Sequence, residues 1–242
     1  MKVAVILPAA GLGTRMGRPA SPEKTGTSRK QFMLLDGQPI IVHTLRKFVD
    51  CDSVSEVIVA LRAEDMDWAR EWLVREARGK TLKLVVGGAT RQESVENALR
   101  EVSPGIELVA VHDAVRPFVD EEIIRAVLAE AAATGAAIVG IVPVDTVKQV
   151  HRNKIRATIP RDKLILTQTP QVFRLELLRE AFEKAREDGF TGTDESSLVE
   201  RLDRVEVSVV PGSDRNIKIT KPSDMDLARL FMAEQLARKK SG

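Results

Sequence analysis

The sequence predicts an α/β fold with a doubly wound, mostly parallel sheet. Apolar runs of strand length alternate with amphipathic helical segments along most of the 242 residues, and the first run is "VAVIL" at 3–7. This alternation is typical of βαβ units, whose sheet is covered by helices on both faces. The length suits one α/β domain, 1–242. At about 143–166 short polar and apolar runs replace the pattern and predict an antiparallel arm that projects from the sheet.

The individual elements are predicted from two kinds of pattern. Apolar runs predict further buried strands, at 57–61, 82–86, 108–113, 136–142 and 205–210. Apolar residues at helical spacing predict helices, at 38–49, 63–77, 91–102, 120–134, 174–188 and 194–202, with a last one beginning near 222. Pro39 is placed in the first turn of its helix, where a missing N–H costs little. Asp120 is of a residue type that caps helix N-termini.

Composition argues against several classes of protein. A net charge of +2 gives no reason to expect a broad nucleic-acid-binding surface. No apolar stretch approaches the ~20 residues that span a bilayer, and the short N-terminal run leads into a glycine-rich loop, unlike a signal peptide. Cys51 is the only cysteine, which excludes an intrachain disulfide and favours a reducing compartment. We expect a cytoplasmic protein that binds neither nucleic acid nor membrane.

Four loops are candidates for the functional site. In open parallel sheets, ligands bind beyond the carboxyl ends of the strands. That rule selects the loops after four of the predicted strands, which have the sequences "PAAGLGTRMG", "GGATRQES", "HDAVRP" and "PVDTVK". The site is predicted where these loops meet.

The glycine-rich loop after the first strand has three competing explanations. It lacks the Gly-Lys-Ser/Thr ending of a Walker A motif, and it fits the dinucleotide fingerprint poorly because Met16 stands where the third glycine is required. A tight turn explains one glycine, but not Gly11 and Gly13 followed by Arg15. The remaining interpretation is a backbone cradle for a triphosphate. Small residues let main-chain N–H groups approach phosphate oxygens, while Arg15 and Lys30 supply charge.

An ordered set of motifs resembles one known family. The motifs are "LPAAGLGTRM", "RKQF", "GGATRQESV", "HDAVRPF", "PVDTVK", "TPQVF", "TDESS" and "NIKIT". The first resembles the phosphate loop of Rossmann-like nucleotidylyltransferases of the sugar-phosphate type. The whole set, from Val3 to beyond Thr220, resembles the 2-C-methyl-D-erythritol 4-phosphate cytidylyltransferases of the non-mevalonate isoprenoid pathway. The resemblance implies transfer of CMP from CTP to 2-C-methyl-D-erythritol 4-phosphate, release of pyrophosphate, and Mg²⁺ as the cofactor.

The resemblance also implies roles for individual residues. Arg15, Lys30 and Lys218 would be the catalytic cations. The positions implied to bind the nucleotide are Pro8, Ala9, Ala10, Gly11, Gly13, Gly88, Ala89, Arg91, Ser94, Asp113 and Ala114. The positions implied to bind the methylerythritol phosphate are Asp113, Arg116, Thr146, Arg161, Thr169, Thr193 and Lys218. Asp113 would also lie close to the metal. Ala89 replaces an acidic residue often found at this position, so its contribution would come from the backbone.

The arm and the substrate complete the expectations. Arg161 resembles an arginine delivered to the substrate of the partner subunit, which implies a homodimer formed through the arm. Two other functions remain open. Ribitol 5-phosphate cytidylyltransferases share the glycine-rich loop and most of the pocket. A non-catalytic nucleotide-binding protein could keep the fold, although charged residues retained in separate loops argue against this reading: Arg15, Lys30, Asp113 and Lys218.

Overall fold

The computed structural model describes residues 1–12 and 29–241. The strands in this part of the chain are β1 Val3–Pro8, β2 Leu34–Leu35, β3 Gln38–Pro39, β4 Val54–Leu61, β5 Thr81–Val86, β6 Leu108–Val111, β7 Ala136–Ile141, β8 Val147–His151, β9 Lys154–Ile159, β10 Leu166–Arg174 and β11 Ser208–Pro211. The α-helices are α1 Ile40–Val49, α2 Met66–Arg75, α3 Arg91–Arg100, α4 Glu121–Thr134, α5 Leu175–Glu187, α6 Glu195–Glu200 and α7 Pro222–Ser241.

Seven of the described strands form the central sheet, in the order β11-β7-β10-β6-β1-β4-β5. Neighbouring strands pair in parallel, except that β10 runs antiparallel to both β6 and β7. In the middle of the sheet, Val5 of β1 pairs with Val57 of β4 and with Ala110 of β6. The predicted mostly parallel α/β sheet is confirmed.

Helices cover both faces of this sheet. Successive side chains of a strand point to opposite faces. On β1, Val5 and Leu7 therefore pack with α1, α2 and α4, while Ala4 and Ile6 pack with α3, α5 and α6. All four side chains are fully buried. This arrangement confirms the doubly wound architecture.

A third, smaller core fixes the C-terminal part of the chain near the carboxyl ends of the strands. Ile219 and Met225 pack there against Val115 and Phe118. The Ile219 N–H also donates to the carbonyl of Val115, at 3.0 Å. This anchoring holds the irregular segment between β11 and α7 beside the loop that follows β6.

The predicted arm contains one antiparallel hairpin, and a strand that the sequence did not predict follows it. β8 and β9 pair in residues 147–159, within the range given for the arm. From Leu166 the chain enters the central sheet as β10. Pro170 interrupts the apolar pattern there, and the register of the pairing with β7 shifts between Thr167 and Gln171. Proline within a sheet is confined to edges and irregularities of this kind, which is why the pattern did not identify a central strand.

Other differences from prediction are small. Pro39 precedes α1 instead of lying in its first turn, because it pairs in the β2–β3 hairpin with extended backbone. Asp120 is the N-cap of α4, but its side chain makes no capping hydrogen bond. The strand predicted at 205–210 is observed at Ser208–Pro211. Within the described residues, none of the helices is both long enough and apolar enough to cross a bilayer.

Candidate active site

A cleft of about 200 Å³ opens beyond the carboxyl ends of β1, β5 and β6. The predicted site residues that line it are Pro8, Ala9, Ala10, Gly11, Lys30, Gly88, Ala89, Arg91, Ser94, Asp113, Ala114 and Lys218. The structure therefore brings together the glycine-rich loop, the loops at 87–94 and 112–117, and the C-terminal segment. Gln31, Thr90 and Val115 also line the cleft and were not predicted. Gly13 and Arg15 lie outside the described residues.

A buried glutamine anchors the start of the glycine-rich loop. The Gln31 side-chain amide donates to the carbonyls of Ala9 and Gly11, at 2.6 and 3.2 Å. The Ala9 N–H donates to Ala60 at 2.8 Å and so prolongs the pairing of β1 with β4. Among the described residues, no acceptor is bonded to the N–H groups of Ala10 and Gly11. Main-chain amides in this condition suit an anion.

The loop at 87–94 uses its own amides internally. The Gly88 N–H donates to the Ser94 hydroxyl at 3.1 Å, and the Ala89 N–H donates to the Glu93 carboxylate at 2.8 Å. The Ser94 hydroxyl in turn donates to the carbonyl of Thr90, and Thr90 is the N-cap residue of α3. Within the described residues, the N–H groups of Gly88 and Ala89 are thus paired, whereas no hydrogen bond is made to their carbonyls.

Asp113 is a buried carboxylate surrounded by three cations. Its oxygens lie 2.9 Å from Lys218 Nζ, 3.3 Å from Arg91 Nε and 3.4 Å from Arg116 Nε. The Asp113 N–H donates to the Thr169 hydroxyl at 3.0 Å. Burial by itself would raise the pKa of Asp113, but the three cations outweigh it and hold that pKa well below its usual range. Asp113 is therefore ionised and keeps three mutually repelling cations together.

Arg91 is shared between Asp113 and a second carboxylate, Glu195. The two terminal nitrogens of Arg91 donate to the two oxygens of Glu195, at 2.7 and 3.0 Å. Burial opposes the charge of Arg91, yet Glu195 and Asp113 together raise its pKa. For Glu195, burial raises the pKa although Arg91 opposes the shift. Glu195 belongs to the motif "TDESS", but no role was predicted for it, because no local pattern shows which cation a buried acid contacts.

The loop after β6 is stiffened by a buried histidine. His112 Nε2 donates to the carbonyl of Arg116 at 3.0 Å, and the ring packs edge-on against Phe48. Burial lowers the pKa of His112 to about 4, so the imidazole is neutral near pH 7. The Arg116 guanidinium then donates to the carbonyl of Asn216 at 2.6 Å, which links this loop to the segment that carries Lys218.

Several predicted residues lie away from the cleft. Thr169 is buried behind Asp113 and holds its backbone. Thr146, Arg161 and Thr193 do not line the cleft of a single chain, and all three are exposed. The Arg161 guanidinium donates to the carbonyl of Val144 within the arm. The roles implied for these residues stay predictions.

Asp113 suits a metal ion that binds together with the phosphates of the substrate. In the described part of the chain, no three potential metal-ligating side chains cluster together. Asp113 is the only acidic side chain of that part that lines the cleft, and three cations already offset its charge. Mg²⁺ in phosphate-transfer sites is commonly held by one or two carboxylates together with substrate phosphates. Asp113 fits that minimal contribution.

Comparisons with known proteins identify one family. Residues 3–234 match the family model described as 2-C-methyl-D-erythritol 4-phosphate cytidylyltransferase. Curated relatives with that name come from Solibacter usitatus, 65% identical over 98% of both chains, and from Acidobacterium capsulatum, 46% identical over 98% of this chain and 100% of the relative.

Solved structures give the same result. The 4-diphosphocytidyl-2C-methyl-D-erythritol synthase from Anaerococcus prevotii superposes with a TM-score of 0.82 at 29% identity, over 96% of this chain and 98% of that one. The 2-C-methyl-D-erythritol 4-phosphate cytidylyltransferase from Thermus thermophilus superposes with a TM-score of 0.76 at 33% identity, over the same shares of the two chains.

Proposed function

The chain belongs to the 2-C-methyl-D-erythritol 4-phosphate cytidylyltransferase family, and we propose how its cleft performs the reaction of that family. The enzyme transfers CMP from CTP to 2-C-methyl-D-erythritol 4-phosphate in isoprenoid biosynthesis. The observation that supports this cleft as the reaction site is the convergence of Lys30, Arg91 and Lys218 near the amides of Ala10 and Gly11. Cations and free amides together suit a polyanion.

The chemistry is one displacement at phosphorus. A phosphate oxygen of the methylerythritol phosphate attacks the α-phosphorus of CTP, the bond from that phosphorus to the bridging oxygen breaks, and pyrophosphate leaves with the electron pair. The attacking phosphate is already an anion, so no protein base has to remove a proton. The main barrier is repulsion between two anions, which positioning and fixed positive charge lower.

The glycine-rich loop and the loop at 87–94 would bind CTP. The amides of Ala10 and Gly11, together with Lys30 and with Arg15 from outside the described residues, would take the triphosphate. The free carbonyls of the loop at 87–94 would accept from the amino group of cytosine, which is a hydrogen-bond donor that uracil lacks. The remaining nucleotide positions would shape the pocket: Pro8, Ala9, Gly13, Arg91, Ser94 and Ala114.

Asp113, Arg116 and Lys218 would bind the methylerythritol phosphate. Asp113 holds both cations within 3.4 Å, and an incoming phosphate would replace part of its attraction for them. Thr169 fixes the Asp113 backbone, while Thr193 would reach the alcohol. Mg²⁺, held by Asp113 and the substrate phosphates, would supply positive charge against the departing pyrophosphate.

The arm would complete the site from a second subunit. Exposed apolar side chains lie at its base, with Val142 54% and Val144 79% exposed, and such side chains favour burial at an interface. A homodimer formed there would bring Arg161 and Thr146 to the alcohol phosphate bound by the partner. We further propose that the enzyme works in the cytoplasm, which the free thiol of Cys51 supports.

One assay tests this function. Pyrophosphate release is measured with CTP, ATP, GTP and UTP, each against 2-C-methyl-D-erythritol 4-phosphate and ribitol 5-phosphate. The highest kcat/KM is expected for CTP with the methylerythritol phosphate. A higher kcat/KM with ribitol 5-phosphate would show that ribitol 5-phosphate is the preferred substrate. The absence of turnover with every pair would show that the protein is not a nucleotidyltransferase of this kind.

A further inference from the structure

Glu195 ends a chain of alternating charges that leads to the catalytic lysine. Its carboxylate is 1% exposed and binds both terminal nitrogens of Arg91. The remaining Arg91 nitrogen, Nε, faces Asp113 Oδ1 at 3.3 Å, and Asp113 Oδ2 faces Lys218 Nζ at 2.9 Å. The side chains come from α6, α3, the loop after β6 and the C-terminal segment.

The position of Glu195 is fixed by the sheet itself. The Gln171 side chain on β10 donates to Asp194 Oδ2 at 2.8 Å and accepts from the Ser196 N–H at 3.0 Å. Asp194 caps α6 by accepting from the Ser197 N–H. Glu195 lies between these anchored residues, in the first turn of α6, so its carboxylate has a defined location from which to hold Arg91.

The contacts of the Arg91 nitrogens determine whether an oxygen of Asp113 is directed at Lys218. Because Glu195 takes the planar pair of terminal nitrogens, only Nε contacts Asp113. If Glu195 carried no charge, that pair would be drawn to Asp113, since a guanidinium binds a carboxylate best through two parallel hydrogen bonds. Asp113 would then turn its second oxygen away from Lys218 and Arg116.

We propose that Glu195 is a positioning residue, which acts through Arg91 to keep Asp113 Oδ2 directed at Lys218. The proposal rests on the function given above, since Lys218 is placed there against the reacting phosphates. Glu195 does not itself line the cleft. Its loss therefore displaces the lysine but leaves the triphosphate-binding amides of Ala10 and Gly11 in place.

The test is a double-mutant cycle between Glu195 and Arg91. Glu195→Gln keeps the size of the side chain and removes its charge, and it is expected to lower kcat by about tenfold or more while KM for CTP changes by less than about twofold. Arg91→Lys keeps the charge but cannot make the forked contact. In the Arg91→Lys background, Glu195→Gln is expected to change kcat by less than about twofold, because interacting residues are not additive.

Matched variants separate positioning from folding. Glu200→Gln, the same change at the exposed other end of α6, is expected to retain wild-type kinetics. Glu195→Asp keeps the charge with a shorter reach and is expected to have a kcat between those of the wild type and Glu195→Gln. If Glu195→Gln fails to fold, the same cycle is run with Glu195→Asp. A purely structural role would lower the melting temperature and the amount of active enzyme, but not kcat per active site.

The outcomes distinguish this proposal from the assigned reaction. Equal losses from Glu195→Gln in the wild-type and Arg91→Lys backgrounds, or a wild-type kcat for Glu195→Gln, would overturn the positioning role alone. If the wild type itself prefers another alcohol phosphate, the proposed substrate fails, and the cycle is then measured with the preferred alcohol.

Discussion

Asp113 stabilises an arrangement of like charges that would otherwise separate. Arg91, Arg116 and Lys218 repel one another, and each lies within 3.4 Å of its carboxylate. The Lys218 side chain is about one-third exposed, so solvent weakens its attraction to Asp113 relative to a buried pair. Lys218 is therefore the cation of this group that is best able to leave Asp113 partly and follow a substrate phosphate.

Replacement of Lys218 tests this assignment at the level of one side chain. Lys218→Ala is expected to lower kcat at least about 100-fold, the scale of one lost transition-state contact. Lys221→Ala, the same change at an exposed lysine nearby, is expected to keep kcat within about twofold of wild type. Steady-state pyrophosphate release with both substrates saturating gives the comparison. A Lys218→Ala enzyme with wild-type kcat would show that Lys218 does not stabilise the transition state.

The buried histidine predicts how stability depends on pH. The pKa of His112 falls from an ordinary 6.5 to about 4 in the folded protein, so the unfolded chain binds more protons between these values. The free energy of unfolding therefore decreases as pH falls from about 6.5 towards 4, by up to about 3 kcal/mol from this group. His112→Gln does not titrate and is expected to show a flatter dependence in denaturant unfolding at about pH 7, 6 and 5.

Other titrating groups serve as controls for that measurement. Burial also lowers the pKa of His43, so His43→Gln is expected to flatten the curve, but less. Burial raises the pKa of Glu195, which acts in the opposite direction and is common to all the variants compared. A His112→Gln curve as steep as that of the wild type would contradict the prediction.

At the level of elements, two glycines in neighbouring loops have different reasons to be glycine. A Cβ at Gly87 would lie 2.4 Å from the Cβ of Ala10 and 2.9 Å from the Ser94 hydroxyl. This glycine lets the loops after β1 and β5 touch. A Cβ at Gly11 would meet no described atom within 4 Å. The described part of the chain does not require glycine at that position, and we propose that close approach of a ligand does.

Alanine substitution at each glycine separates these reasons. Gly87→Ala is expected to lower the free energy of unfolding by about 1–3 kcal/mol, because the loops must move apart. Gly11→Ala is expected to change it by less than about 0.5 kcal/mol and to weaken CTP binding about tenfold, because a methyl group would stand where phosphate approaches the amide. Chemical unfolding and calorimetric titration with CTP measure the two effects. Unchanged CTP affinity in Gly11→Ala would place the phosphate elsewhere.

At the scale of the whole molecule, the arm carries an arginine that does not line the cleft of its own chain. Arg161 is exposed and bonded within the arm. Arg161→Ala is expected to raise KM for 2-C-methyl-D-erythritol 4-phosphate about tenfold, with KM for CTP within about twofold of wild type. Arg156→Ala, at another exposed arginine of the arm, serves as the matched control. Equal effects on both substrates would contradict delivery to the alcohol phosphate.

A mixing experiment shows which subunit supplies Arg161. If Arg161 serves the partner's site, a dimer of one Lys218→Ala chain and one Arg161→Ala chain contains one intact site and one doubly altered site. With equal amounts of the two variants and 2-C-methyl-D-erythritol 4-phosphate well below its KM, where Arg161→Ala is impaired, random exchange then restores about one-quarter of wild-type activity, because half of the dimers are mixed and half of their sites are intact. No recovery, despite proven exchange of subunits, would place Arg161 at the site of its own chain.

The sequence by itself determined the layers of the fold and most of the cleft. Hydrophobic periods are local properties, so they located the parallel strands and the helices that cover them to within a few residues. The rule that ligands bind at the carboxyl ends of parallel strands then predicted that the loops of Gly11, Gly88 and Asp113 lie at one edge of the sheet. The ordered motifs narrowed the chemistry to nucleotidyl transfer.

Only the tertiary structure decided the partners within that cleft. β10 was not predicted, because Pro170 interrupts its apolar pattern. Its insertion as an antiparallel strand between β6 and β7 depends on pairings with residues distant in sequence. Gln31, His112 and Glu195 were missed for the same reason, since each takes its role from a group that local spacing cannot identify. Glu195 lies 104 positions from Arg91 along the chain, and only the folded sheet brings this acid and its cation together.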